Sequence, residues 1–172
     1  MKKQCALRVH LAATVLLTSF SIAAPSVFAH GNTSHKKDVK APISTDEHAF
    51  GKEGDPKNAK RTITIDMDDT MHFSPSVIKV KQGETVKFLV RNKGQTLHEM
   101  VIGTMDELKE HGELMKKFPE MEHDEAYMAH VQPGSKEELV WQFTKAGEFN
   151  YGCLLPGHFE AGMVGKITVT KG

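Results

Sequence analysis

Cys153, His158 and Met163 follow one another at five-residue intervals on the stretch Tyr151-Gly152-Cys153-Leu154-Leu155-Pro156-Gly157-His158-Phe159-Glu160-Ala161-Gly162-Met163. Pro156-Gly157 and Gly162 let the backbone turn tightly between them, so a thiol, an imidazole and a thioether share one short loop. Phe149 and Tyr151 lead into this loop, and Val164 to Thr170 continues from it with Ile167 and Val169 on one face, as in a half-buried strand. A soft thiolate, a borderline imidazole and a weak thioether together suit copper better than the other common biological metals. One more histidine from elsewhere completes a trigonal His-His-Cys set with a distant axial methionine, an arrangement suited to one-electron transfer.

Upstream, the chain repeats the period-two rhythm. Ile63, Ile65 and Met67 alternate with Thr62, Thr64 and Asp66 before Asp68-Asp69 interrupts them. Met71 and Phe73 resume the pattern, and Pro75 confines that piece to an edge or strand end. Val77 to Val80 forms a further short strand, Gln82-Gly83 a turn, and Val86, Phe88 and Val90 alternate again up to Asn92-Lys93-Gly94. His98 follows, then Val101-Ile102. Leu139, Trp141 and Phe143 share a later strand face, with Lys145-Ala146-Gly147 as the turn beyond it. Several short strands separated by turn residues predict an all-β sandwich.

Residues 104–132 break this rhythm. Thr104-Met105-Asp106-Glu107 fits a capping box, Leu108, Met115 and Phe118 recur at helical spacing, and Pro119 ends the run, although Gly112 weakens the helical pattern. A second short helix is expected between Glu120 and His130, with Pro133-Gly134 as the turn after it. This helical, Met- and His-bearing segment reads as an insertion lying over one side of the sandwich. No internal repeat and no second independently folding domain is apparent.

Residues 1–29 have a basic start, an apolar run from Leu11 to Ala24 and Val27-Phe28-Ala29 before His30, the pattern of a cleaved secretory signal. The run is short for a bilayer span, which needs about 20 apolar residues, so no stable membrane insertion is expected and the mature protein is expected to be exported, to a periplasm. Removing Lys2, Lys3 and Arg8 from the 22 basic residues leaves 19 against 22 acidic ones, a net charge of about −3 with histidine neutral. No basic stripe of the kind that binds nucleic acid is present. Cleavage also removes Cys5, leaving Cys153 as a lone thiol that cannot form an internal disulfide. Residues 30–60 are polar and lack a period, which predicts a flexible tail. The tail carries His30, His35 and His48.

The Cys-x4-His-x4-Met spacing within Tyr-Gly-Cys-x-x-Pro-Gly-His resembles the cupredoxin family, most closely its rusticyanin and auracyanin branch. The likeness extends through Met71-His72-Phe73-Ser74-Pro75, Gly83-Glu84-Thr85-Val86 and Asn92-Lys93-Gly94-Gln95-Thr96-Leu97-His98, and so covers about Arg61 to Lys171. It implies a Greek-key β-sandwich and one type 1 copper held by His98, Cys153, His158 and Met163. In many cupredoxins the residue after the first histidine is Asn or Ser, whose contacts help hold the ligand loops together. Glu99 departs from that pattern, and a carboxylate there favours Cu(II) unless it points outward.

Each ligand has a plainer reading: His98 capping a backbone carbonyl, His158 as a turn residue, Met163 as core filler, Cys153 as an inert buried thiol. Four such readings at these spacings are jointly improbable. Two weaker copper sites are also considered. One joins His30 and His35; the other draws on Met100, Met105, Met115, Met121, Met128, His111, His123 and His130. Solvated tail histidines and ordinary packing are the simpler readings of both.

The sequence therefore predicts a monomeric, non-enzymatic copper protein cycling Cu(I)/Cu(II), in a copper-tolerance setting that the resemblance implies. The alternative is a dedicated respiratory electron carrier. Leu154, Leu155, Pro156 and Phe159 beside His158 form an expected docking patch for a redox partner. A multicopper enzyme needs further copper centres and usually more domains, and the paired His-x-His motifs of multicopper oxidases are lacking. A cysteine nucleophile activated by His158 would leave His98 and Met163 without a role.

Overall fold

The computed structural model describes residues 42–118 and 124–172. They form eleven strands and one α-helix in two sheets. In chain order the elements are β1 (Glu47–His48), β2 (Gly51–Glu53), β3 (Arg61–Asp68), β4 (His72–Ser74), β5 (Val77–Lys81), β6 (Thr85–Asn92), β7 (His98–Gly103), α1 (Met105–Lys117), β8 (Met128–Val131), β9 (Lys136–Gln142), β10 (Gly147–Gly152) and β11 (Val164–Thr170). One sheet has the order β1-β2-β9-β6-β3-β4 and the other β5-β11-β10-β7-β8. The β3–β6 and β5–β11 pairs are parallel, the rest antiparallel.

Alternation along the strands supplies the core between the sheets. Ile65 and Met67 of β3, Val86, Phe88 and Val90 of β6, and Leu139 and Trp141 of β9 meet Phe149 and Tyr151 of β10 and Ile167 and Val169 of β11, all of them buried. Pro75 limits β4 to an edge, as its missing N–H requires. All six residues of β7 are buried, because both of its faces are covered. Met100 and Ile102 join the main core, whereas Val101 packs in a second cluster with Leu108 and Met115 of α1, Met128 of β8 and Leu154 of the loop after β10.

The helix starts where the sequence places it. Thr104 accepts the Glu107 N–H while the Glu107 carboxylate accepts the Thr104 N–H, a complete capping box. Asp106 and Glu107 near the start and Lys116 and Lys117 near the end complement the helix dipole. Leu108, Gly112 and Met115 form its buried face; Gly112 does not break the helix. Phe118, expected on the same stripe, is instead exposed at the C-terminal cap.

Two further expectations are corrected. Met128–Val131 is a strand rather than part of a second helix. It pairs antiparallel with β7, Glu99 opposite His130 and Val101 opposite Met128. Its buried, buried, half-buried, buried pattern comes from being covered by neighbouring elements, and four such residues are too few for a period to distinguish strand from helix. Residues 47–53, read as flexible tail, form β1 and β2. Lys52 and Glu53 pair with Gln142 and Trp141, Phe50 is buried against the Trp141 ring, and the Trp141 indole N–H donates to the Phe50 carbonyl at 2.9 Å. That anchor lies about ninety residues away along the chain, so no local pattern announces it. The signal segment, His30 and His35 lie outside the described residues, as do Met121 and His123.

Candidate metal centre

Three elements deliver the site. His98 opens β7, Cys153 follows directly on β10, and His158 sits in the loop between β10 and β11. Pairing of β7 with β10, with Val101 opposite Gly152, brings the first histidine and the cysteine to the same end of one sheet. The loop then folds back on itself: the Cys153 N–H donates to the Met163 carbonyl and the Met163 N–H to the His158 carbonyl, each at 3.1 Å. Gly157 and Gly162 take φ values of +89° and +95°, which suit glycine far better than a residue with a Cβ.

The donor atoms of His98, Cys153 and His158 all lie within 4.8 Å of one another. Cys153 Sγ is 3.2 Å from His158 Nδ1, and the imidazole centroids of His98 and His158 are 4.9 Å apart. His98 and Cys153 are fully buried while His158 keeps a partly exposed edge. Met163 is fully buried too, and its backbone is bonded to both Cys153 and His158.

His98 is poised asymmetrically. Its Nε2 lies 3.1 Å from Asp69 Oδ1 and 3.3 Å from Thr96 Oγ1. An ionised carboxylate only accepts, so Nε2 carries the proton and Nδ1 is left as a lone pair. That Nδ1 is buried without a hydrogen-bond partner, which is costly unless something else occupies it. A metal ion is the fitting partner. Burial, and then the neighbouring His98, lower the His158 pKa and so favour the neutral imidazole that ligates. Burial, and then the Glu99 charge, push the Cys153 thiol up to about 12, so a binding metal must displace its proton.

Glu99 points inward. Its carboxylate Oε1 accepts the Leu154 N–H at 2.8 Å, its own N–H donates to Cys153 Sγ at 3.4 Å, and Oε2 lies 3.0 Å from His130 Nε2. The last approach is close but not aligned as a hydrogen bond. His130, considered from the sequence as a donor to a second copper site, is one-third exposed and faces this carboxylate. Asp69 is the site residue that the sequence reading missed, and the place of His130 beside Glu99 was not foreseen. The only hint was Asp68-Asp69 interrupting a strand. Among the described residues no second group of three His, Cys, Asp or Glu donors comes close enough to hold a metal.

The model of copper-binding proteins of the plastocyanin/azurin family matches residues 59–170, a span that contains all three donors. The chain belongs to that family. Among this cupredoxin's curated relatives, the copper-resistant cuproprotein CopI of Rubrivivax gelatinosus is 45% identical over 81% of this chain and 82% of its own. The CopI of Pseudomonas aeruginosa is 35% identical over 70% and 82%. In fold it resembles auracyanin B, with a TM-score of 0.60 at 19% identity over 70% of this chain and 96% of that one. Auracyanin A of Chloroflexus aurantiacus gives 0.55 at 21%, over 63% and 98%. The donor set fits the family's metal: one soft sulfur and two imidazoles, with His98 Nδ1 free to bind.

Proposed function

We propose that this cupredoxin would hold one type 1 copper through His98, Cys153 and His158, with Met163 as a weaker fourth ligand, and transfer single electrons in a periplasmic copper-tolerance setting. The observation that carries the reading is the convergence of three donors from two remote segments on the unpartnered Nδ1 of a buried histidine. Met163 is favoured as the fourth ligand because its buried position is tied by backbone bonds to the two loop ligands.

Bound copper supplies one-electron chemistry by alternating between Cu(I) and Cu(II). The chain's own residues keep the site dry and fixed: Asp69 orients His98, Glu99 ties β7 to the peptide after Cys153, and α1 packs against Leu154. Rigidity of this kind limits rearrangement between oxidation states. The partly exposed edge of His158, beside Leu155, Pro156 and Phe159, is the proposed docking point for a redox partner.

Copper tolerance is favoured over a respiratory role by the relatives named copper-resistant cuproproteins. Reconstitution with Cu(II) tests the centre: one equivalent and a thiolate-to-copper charge-transfer band are expected, and Cys153→Ala abolishes the band. Absence of the band in the unaltered chain sinks the proposal. A deletion strain sensitive to copper, with intact respiration, separates tolerance from a respiratory carrier; the reverse phenotype overturns the tolerance reading.

A further inference from the structure

We infer that Glu99, which ties the cysteine segment to β7 as the residue after the first histidine does in many cupredoxins, has a second effect of its own: its buried carboxylate biases the site toward the oxidised metal. The inference rests on the copper reading above. It starts from how tightly one residue brackets the ligand cysteine. The Glu99 N–H reaches Cys153 Sγ at 3.4 Å, and its Oε1 accepts the N–H of Leu154, the next residue, at 2.8 Å. The cysteine sulfur and the following peptide are thereby tied to the residue after His98.

A neutral amide or hydroxyl would make the same tie. A carboxylate adds charge in a place where charge is expensive. Glu99 is 1% exposed, and its Oε2 makes no aligned hydrogen bond. The basic side chain 3.0 Å away is a histidine, itself one-third exposed, rather than a lysine or arginine with a permanent charge. Burying an incompletely compensated carboxylate works against folding, and the arrangement becomes favourable once a cation occupies the adjoining site. Coulomb interactions away from bulk water are strong. They favour the doubly charged ion over the singly charged one, so the reduced state is disfavoured and the protein gives up its electron more readily.

The test compares the copper-loaded unaltered chain with Glu99→Gln and Glu99→Asp, measuring reduction potential, charge-transfer spectrum and the melting of the metal-free forms. Glu99→Gln keeps an acceptor for the Leu154 N–H and removes the charge. The ratio of Cu(I) to Cu(II) affinity is expected to rise at least tenfold, about 59 mV in potential for one electron. Glu99→Asp keeps the charge but shortens the reach to Leu154, so the spectrum is expected to change more than the potential. Should Glu99→Gln not fold, Glu99→Asn is the second neutral replacement, with the same expected rise. A ratio within about twofold of the unaltered chain, with only the metal-free melting changed, would make Glu99 a structural tie alone and overturn the inference. No charge-transfer band in the unaltered chain is the separate outcome that overturns the copper reading beneath it.

Discussion

Asp69 Oδ1 lies 3.1 Å from His98 Nε2, and the same carboxylate is gripped by the Gln95 N–H at 2.7 Å, the Thr96 N–H at 3.2 Å and the Thr96 hydroxyl at 2.8 Å. Those bonds, the Gln95 N–H foremost, hold its carboxyl well below the usual carboxylate range. The acid therefore stays ionised at neutral pH and fixes His98 with its proton on Nε2. Such partners of metal-bound histidines typically matter by one to two orders of magnitude in affinity. Asp69→Asn is expected to weaken copper binding by about 10–100-fold with the far-UV circular dichroism unchanged. Chelator competition measures it, and unchanged affinity shows that Asp69 does not orient the ligand.

Leu108 is one of the residues through which α1 meets the metal loop, beside Met115 in the same cluster and Lys116, which pairs with Glu160. The leucine is 1% exposed and packs in one cluster with Val101, Met128 and Leu154, with Phe159 against its rim. Leu108→Ala removes that contact and leaves a cavity, which should cost about 2–5 kcal/mol in urea unfolding of the metal-free protein. A loss below about 1 kcal/mol shows that Leu108 does not join the helix energetically to the loop.

Gly165 sits opposite Tyr151 in the β10–β11 pair. A Cβ there would meet Tyr151 Cζ at 2.0 Å, and the ring has little freedom to yield, being fully buried with its hydroxyl donating to the Pro75 carbonyl. Gly165→Ala is expected to destabilise the fold by about 1–3 kcal/mol through overpacking, read as a lower urea midpoint. A midpoint equal to that of the unaltered chain contradicts this packing.

The two tyrosines supply a pH dependence. Burial pushes Tyr151 far above its ordinary value, and burial with the nearby Glu125 and Glu107 charges raises Tyr127. In the unfolded chain both ionise near pH 10, so above that pH the unfolded state binds fewer protons than the native one. Stability is thus full below about pH 10 and falls as pH rises beyond it. Tyrosinate absorbance should rise at a higher pH in the native protein than in the urea-unfolded protein. Superimposable titration curves for the two states argue against it.

The metal loop was readable in one dimension because its three donors lie within eleven residues and its turns are encoded by Pro156-Gly157 and Gly162. Longer alternating strands were readable for a similar reason: Val86, Phe88 and Val90 need only a two-residue period to declare a buried face. The helix declared itself through Thr104 and Glu107, three residues apart. The short strands behaved differently. Met128–Val131 owes its state to hydrogen bonds with β7, and Gly51–Glu53 to pairing with β9, neither of which is written in its neighbours.

What the amino-acid order determined by itself was therefore whatever depends on nearby residues: the sandwich rhythm, the cap of α1, and a loop whose thiol, imidazole and thioether suit copper. Tertiary structure alone decided which remote groups surround those donors. It set Asp69 behind His98, turned Glu99 inward between Leu154 and His130, and drew residues 47–53 into the sheet through Phe50 and Trp141. The reason is physical. Turns, caps and periods arise from bonds spanning a few residues, whereas the proton position and charge around a buried site are set by groups that only strand pairing brings within 3 Å or so.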